Sequence, residues 1–133
     1  MKAYCKAAIG KKGERVAARF LRRNGYRIVA KNKHYGKNEL DLIVRDKQYL
    51  VFVEVKTRSF ADRLPNTRPA DAVDLAKRHR TAEAACAHLR ESPTRLCPRF
   101  DVIEVYLDRT KRLRVARINH IPDAFSVSGR IRH

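Results

Sequence analysis

The chain has 133 residues, enough for one domain around a single core and too few for two. Thirty-one Lys and Arg against fourteen Asp and Glu leave a formal charge of +17, while 44% hydrophobic content argues against wholesale disorder. No stretch approaches the roughly 20 apolar residues that cross a bilayer, which excludes a helical membrane protein.

A surface this basic repels itself until something anionic neutralises it. Nucleic acid is the expected partner, because each neutralised phosphate releases condensed counterions. A membrane is not expected, since the sequence lacks a strongly amphipathic basic helix with exposed aromatics. Cys5, Cys86 and Cys97 cannot all pair and have no CxxC or Cys/His metal spacing, so they read as reduced thiols. Met1 to Gly10 holds no apolar run long enough for a signal peptide. The expected location is therefore the cytoplasm.

In chain order, Gly13 to Asn24 reads as a helix, with Val16, Ala17, Phe20 and Leu21 as its apolar stripe and Gly25 as its stop. Tyr26 to Ala30 is a short strand, and Lys31 to Asn38 a basic loop around Gly36. Two strands follow, Glu39 to Arg45 and Tyr49 to Thr57, joined by a tight turn at Asp46, Lys47 and Gln48. Their LDLIV and LVFVEV runs suit a sheet covered on both faces. Ser59 to Pro69 reads as a loop, and Asp71 caps a helix that runs to about Leu89 with Leu75, Ala82, Cys86 and Leu89 inward. After a loop from Glu91 to Pro98, Phe100 to Leu107 is a strand and Leu113 to Ile118 another. The fold class is α/β, one mixed sheet flanked by helices. Residues 1–125 form one domain and 126–133 a basic tail.

The informative anomaly lies in the middle strands. Asp41 sits between Leu40 and Leu42, and Glu54 between Val53 and Val55, with Lys56 two positions on. Carboxylates in apolar strands are costly unless paired, hydrogen-bonded or metal-bound. A turn centred on Lys47 and Gln48 sets Asp41 opposite Glu54, with Lys56 on the same face by the period of two. Two carboxylates and a nearby backbone carbonyl, that of Val55, make a hard oxygen site for Mg²⁺ or Mn²⁺. Such an ion polarises a phosphodiester and activates a bound water, which Lys56 could orient. Glu14, at the sheet-facing edge of the first helix, is an auxiliary ligand. The structural alternative is an internal salt bridge, with Lys56 neutralising Glu54 and Asp41 capping a bulge.

Asp41, twelve residues, Glu54, one residue and Lys56 resemble the core motif of PD-(D/E)XK nucleases. More narrowly, GERVAARFL, GYRIVAKN, NELDLIV, VFVEVKTR, AVDLAKRHRTAEAACAHL, RFDVIEV and HIPDAF resemble the YraN-like family of small predicted bacterial endonucleases, distantly similar to archaeal Holliday junction resolvases. The resemblance spans about residues 10 to 125. It implies a restriction-endonuclease-like αβββαβ core with Glu14, Asp41, Glu54 and Lys56 in the active-site positions. Two departures stand out: Leu40 replaces the motif's proline, and Asn38 the family's usual glycine, with Gly36 nearby. Glu39 falls on the Asp41 face at the strand end.

Lys77, Arg78 and Arg80 read as a basic patch on the second helix, facing phosphate or water alike. Arg58, directly after the motif, is a further backbone contact. His34 and Tyr35 could stack on or touch a nucleic acid from their basic loop. His79 and Asp101 read as structural, Asp101 as support for the site. The expected activity is metal-dependent hydrolysis of phosphodiester bonds in DNA, branched or damaged, with a non-catalytic nucleic-acid-binding module on the same fold as the alternative. By analogy with junction-resolving relatives, a homodimer is an expected assembly.

Overall fold

A computed structural model describes residues 4–59 and 75–126. Helix α1 spans Lys6–Arg23, and strands β1 (Arg27–Tyr35), β2 (Asn38–Arg45) and β3 (Tyr49–Ser59) follow as an antiparallel meander. Helix α2 (Leu75–Glu91) leads to β4 (Cys97–Asp108), which pairs parallel with β3. A 3₁₀ turn at Arg109–Lys111 leads into β5 (Arg114–Phe125), antiparallel to β4. The strands lie in sequence order in one mixed five-stranded sheet.

Each face of the sheet has its own core. On one, Ala17, Ala18 and Leu21 of α1 pack on Leu42, Val44, Val51, Val53, Ile103 and Val105. On the other, Ala82, Ala84 and Ala85 of α2 pack with Ile43, Phe52, Phe100 and Phe125. Burial on both faces accounts for the near-continuous apolar runs of β2, β3 and β4. Along β3, odd-numbered residues Val51 and Val53 therefore face α1, and even-numbered Leu50 and Phe52 face α2.

Several boundaries differ from those the sequence predicts. Helix α1 begins seven residues before Gly13, at Lys6, because Tyr4 and Ile9 pack against the α1-side core and carry the helix outward. It ends as expected: Gly25 takes φ 92°, and the N–H groups of Gly25 and Tyr26 close on the carbonyls of Arg22 and Leu21. The stretch expected as a basic loop is strand to Tyr35, paired with β2 and turned back at Gly36, φ 62°. Its polar composition suits an edge strand, whose outer rim meets water. Strand β5, also an edge, continues to Phe125 and tolerates Pro122 there.

Helix α2 turns Ala82 inward as expected, with Cys86 and Leu89 half-buried beside it, but its first turn and its polar residues differ from expectation. Leu75 is 57% exposed, while Arg78, Thr81 and His88 are buried. The expected loop at Ser59–Pro69 and the cap Asp71 fall, from residue 60 on, outside the described residues, as does the basic tail from residue 127 on. Among the described residues no helix is long and apolar enough to cross a membrane.

Candidate active site

The hairpin register is the one the turn dictates. Asp46 Oδ1 accepts from the backbone N–H groups of Gln48 (2.8 Å) and Tyr49 (2.7 Å), which locks the turn and holds the Asp46 carboxyl below its ordinary pKa. Arg45 then opposes Leu50, and Leu42 opposes Val53. The regular ladder stops there. One step further, Asp41 Oδ2 accepts the Val55 N–H at 3.0 Å, so a side chain takes over a donor on β3. Asp41 and Glu54 thus meet at the open end of the β2–β3 pair.

Glu54 is only 3% exposed. Its buried Oε1 is met by ammonium charge. Lys77 of α2 forms an ion pair with that oxygen, and Lys56 Nζ stands 4.0 Å away. Burial, and then repulsion by Asp41, push Glu54 up to about 7, against the pull of Lys77 and Lys56. Burial and the charge of Lys77 push the Lys56 amine down. Lys77 moves up, because the Glu54 contact outweighs its own desolvation.

Glu14 reaches the same region from the other side of the sheet. Burial raises its pKa, and Asp41 and Glu39 raise it further, while a hydrogen bond with Asn32 opposes them. Its approach depends on Gly13, where a methyl group would overlap the side chain of Thr57 on β3. The glycine read from sequence as a helix start is thus a contact point between α1 and β3. A cleft of about 230 Å³ opens over the site, lined by Lys37, Glu39, Asp41, Lys77 and Arg80 among others. A larger groove of about 900 Å³, beside Tyr35, His79, Cys86 and Arg90, has Glu83 as its sole acid and gathers no comparable charge.

The remaining sequence-predicted residues separate. Lys77 turns in to Glu54, and Arg80 is exposed. Arg78 is buried, its guanidinium 6.0 Å from the Phe125 ring, so the expected patch on α2 is not one solvent-facing surface. Tyr35 is a strand residue whose hydroxyl bonds His88 Nδ1 at 2.8 Å, which ties its tip to α2. His34 is exposed and 3.8 Å from Glu39, also exposed. Arg58 lies on the Glu54 and Lys56 side of β3, its Nε donating to Glu104 Oε2 at 3.1 Å. Asp101 lies on the opposite, α1-facing side, in a separate network with Arg99 and His120, and does not support the site. His79 is exposed.

Residues 13–105 match the model of a family described as uncharacterised protein family UPF0102. The chain belongs to that family. A UPF0102 protein of Caldanaerobacter subterraneus subsp. tengcongensis is 40% identical over 94% of this chain and 100% of its own length. Another, from Symbiobacterium thermophilum, is 43% identical over 84% of this chain and 93% of its own. The UPF0102 match covers Glu14, Asp41, Glu54, Lys56 and Arg58 together, and the YraN-like resemblance drawn from the sequence is to this same family.

A divalent cation fits the donor set in a particular way. Among the described residues, no three His, Cys, Asp or Glu side chains converge to hold a metal by themselves. The donors on offer are the carboxylates of Asp41 and Glu54 and the Val55 carbonyl, with Glu14 near. Such a set suits Mg²⁺ or Mn²⁺, which keeps several waters. The ion pair between Glu54 Oε1 and the ammonium of Lys77 marks a place where positive charge is already accommodated.

Proposed function

We propose that this UPF0102 protein is a Mg²⁺- or Mn²⁺-dependent nuclease that hydrolyses phosphodiester bonds in DNA, branched or damaged DNA included. The observation that carries this reading is Glu54, a buried carboxylate raised to about 7, beside Asp41 and two ammonium groups. Carboxylates perturbed this strongly, beside a second acid in a cleft, cluster at functional sites.

Asp41, Glu54 and the Val55 carbonyl would hold the ion, and Glu14 would reach it directly or through water. When bound, the ion polarises the phosphodiester and acidifies a coordinated water. Asp41 keeps its geometry through the Val55 N–H, which fixes one carboxylate oxygen and leaves the other for ligation. Lys56, its amine pKa lowered by burial, orients the attacking water and meets the charge that grows on the phosphate. The +17 charge supports a polyanionic substrate.

Lys77 favours a second reading. Its ion pair with Glu54 already compensates part of the buried charge, as in a nucleic-acid-binding module that has kept the fold without the chemistry. Calorimetric titration of Mn²⁺, with cleavage of duplex, single-stranded and four-way DNA, separates the two. The nuclease reading expects saturable binding that weakens at least tenfold in Asp41→Ala and in Glu54→Ala, with cleavage lost in both. Unchanged metal affinity and cleavage in both variants end it. DNA binding without metal uptake leaves the binding module.

A further inference from the structure

Three rows of residues run across β3, β4 and β5 on the face that carries Glu54. Glu54 lies beside Val102, which lies beside Ile121. The next row is Lys56, Glu104 and Asn119, and then comes Arg58, Tyr106 and Arg117, the latter two directly paired. Charge therefore continues outward from the candidate active site.

At the centre is Glu104, 2% exposed. One of its oxygens accepts Arg58 Nε at 3.1 Å; the other accepts the Tyr106 hydroxyl at 3.1 Å and Asn119 Nδ2 at 3.4 Å. Both oxygens of this acid accept hydrogen bonds. Its effect falls on Arg58, which is anchored through Nε alone, so among the described residues its two terminal nitrogens make no hydrogen bond. The Arg58 side chain is 34% exposed, and Arg117 is exposed two strands away. Both arginines lie close enough to Tyr106 to act on its hydroxyl. An anchored guanidinium with a free planar fork is a phosphate receptor needing little ordering on binding.

We propose that Arg58 and Arg117 form a ledge that grips the sugar-phosphate backbone beside the active site, and that Glu104 is the positioning residue that aims Arg58. Arg58 lies two residues beyond Lys56, roughly 6.6 Å along the strand. The ledge thus holds a phosphate neighbouring the one presented to Lys56. The assignment rests on the nuclease reading only in taking this face to be the one that receives a polynucleotide.

Fluorescence anisotropy of a labelled duplex, titrated with salt in EDTA, tests the ledge without metal or turnover. Arg58→Ala and Arg117→Ala should each flatten the log–log salt slope by about 0.9. Arg58→Lys keeps the charge but not the anchored fork, and should bind more weakly than wild type. Glu104→Gln adds a net positive charge, so a purely electrostatic surface would bind more tightly; the ledge predicts binding weaker by roughly tenfold. Unchanged slopes in both alanine variants, or tighter binding by a folded Glu104→Gln, overturn the proposal. Should Glu104→Gln not fold, the two surface arginines decide it alone. Flattened slopes without metal uptake at Asp41 and Glu54 would keep the ledge and remove the nuclease.

Discussion

Two buried acids on opposite faces of the sheet have contrasting surroundings. Asp101, on the α1 side, is 0% exposed and saturated: Arg99 donates twice at 2.8 Å, His120 Nε2 lies at 2.7 Å, and the Asp123 N–H donates at 2.9 Å. Burial alone would raise its pKa, but these partners outweigh burial and lower it. Arg99 is itself fixed by the Tyr26 hydroxyl and lies over the Tyr49 ring. Glu54, on the α2 side, is nearly as buried, yet burial and Asp41 win and its pKa rises to about 7. Near-equal burial thus goes with opposite pKa shifts. The saturated acid ties β4 to β5, whereas Glu54 is held between the opposing pulls of burial and its lysines, which suits the role proposed for it.

The largest expected effect follows from that contrast. Asp101→Asn leaves Arg99 and His120 without their anion in a dry environment and should cost on the order of 3–5 kcal/mol in urea unfolding. Glu54→Gln removes a charge that folding disfavours, and Lys77, half-buried, can turn to water. Its stability at pH 8 should stay within about 1 kcal/mol of wild type, or rise. Equal losses in the two variants would erase the distinction between a structural and a functional acid.

A smaller loss tests how the two faces are brought together at the site. Gly13→Ala forces a methyl group into the Thr57 side chain, an overpacking worth about 1–3 kcal/mol, offset by about 1 kcal/mol of helix propensity. The net result should be destabilising, and Thr57→Ala in the same chain should recover most of it by removing Oγ1 and Cγ2. If Gly13→Ala is instead stabilising by the full propensity increment, α1 does not press on β3 there and Glu14 is not brought to Asp41 by this contact.

What could be read from the sequence tracks how local the cause was. The hairpin register follows from Asp46, Lys47 and Gln48 and from alternation within a dozen residues, so the meeting of Asp41 and Glu54 was legible. So was Lys56, through the strand period. The inward placement of Arg78 and Lys77 on α2 was not, because Arg78 is buried against Phe125 and half-buried Lys77 pairs with Glu54, partners dozens of residues away. Strand β1 was cut short because an edge strand need not be apolar, and KNKHY carries only half the usual signal. Glu104 was overlooked although FDVIEVYL shows the anomaly that singled out Asp41 and Glu54, an acid flanked by aliphatic residues.

The finest test of the comparison is a titration. Carbon NMR of the side-chain carboxyls should place Glu54 near 7, while Asp101 remains ionised below its ordinary 3.8. The linkage then runs in opposite directions. Glu54, raised above 4.5, contributes its stability fully below that pH and loses it as pH climbs through about 7. Asp101, depressed, contributes above 3.8 and loses its contribution as pH falls through its lower folded value. Asp41→Asn should move the Glu54 midpoint down, since the repulsion disappears, but not to 4.5, since desolvation is the larger cause and remains. A midpoint that does not respond to Asp41→Asn would mean that the two carboxylates do not share a field. A pair with no mutual field offers a cation no more than either acid alone.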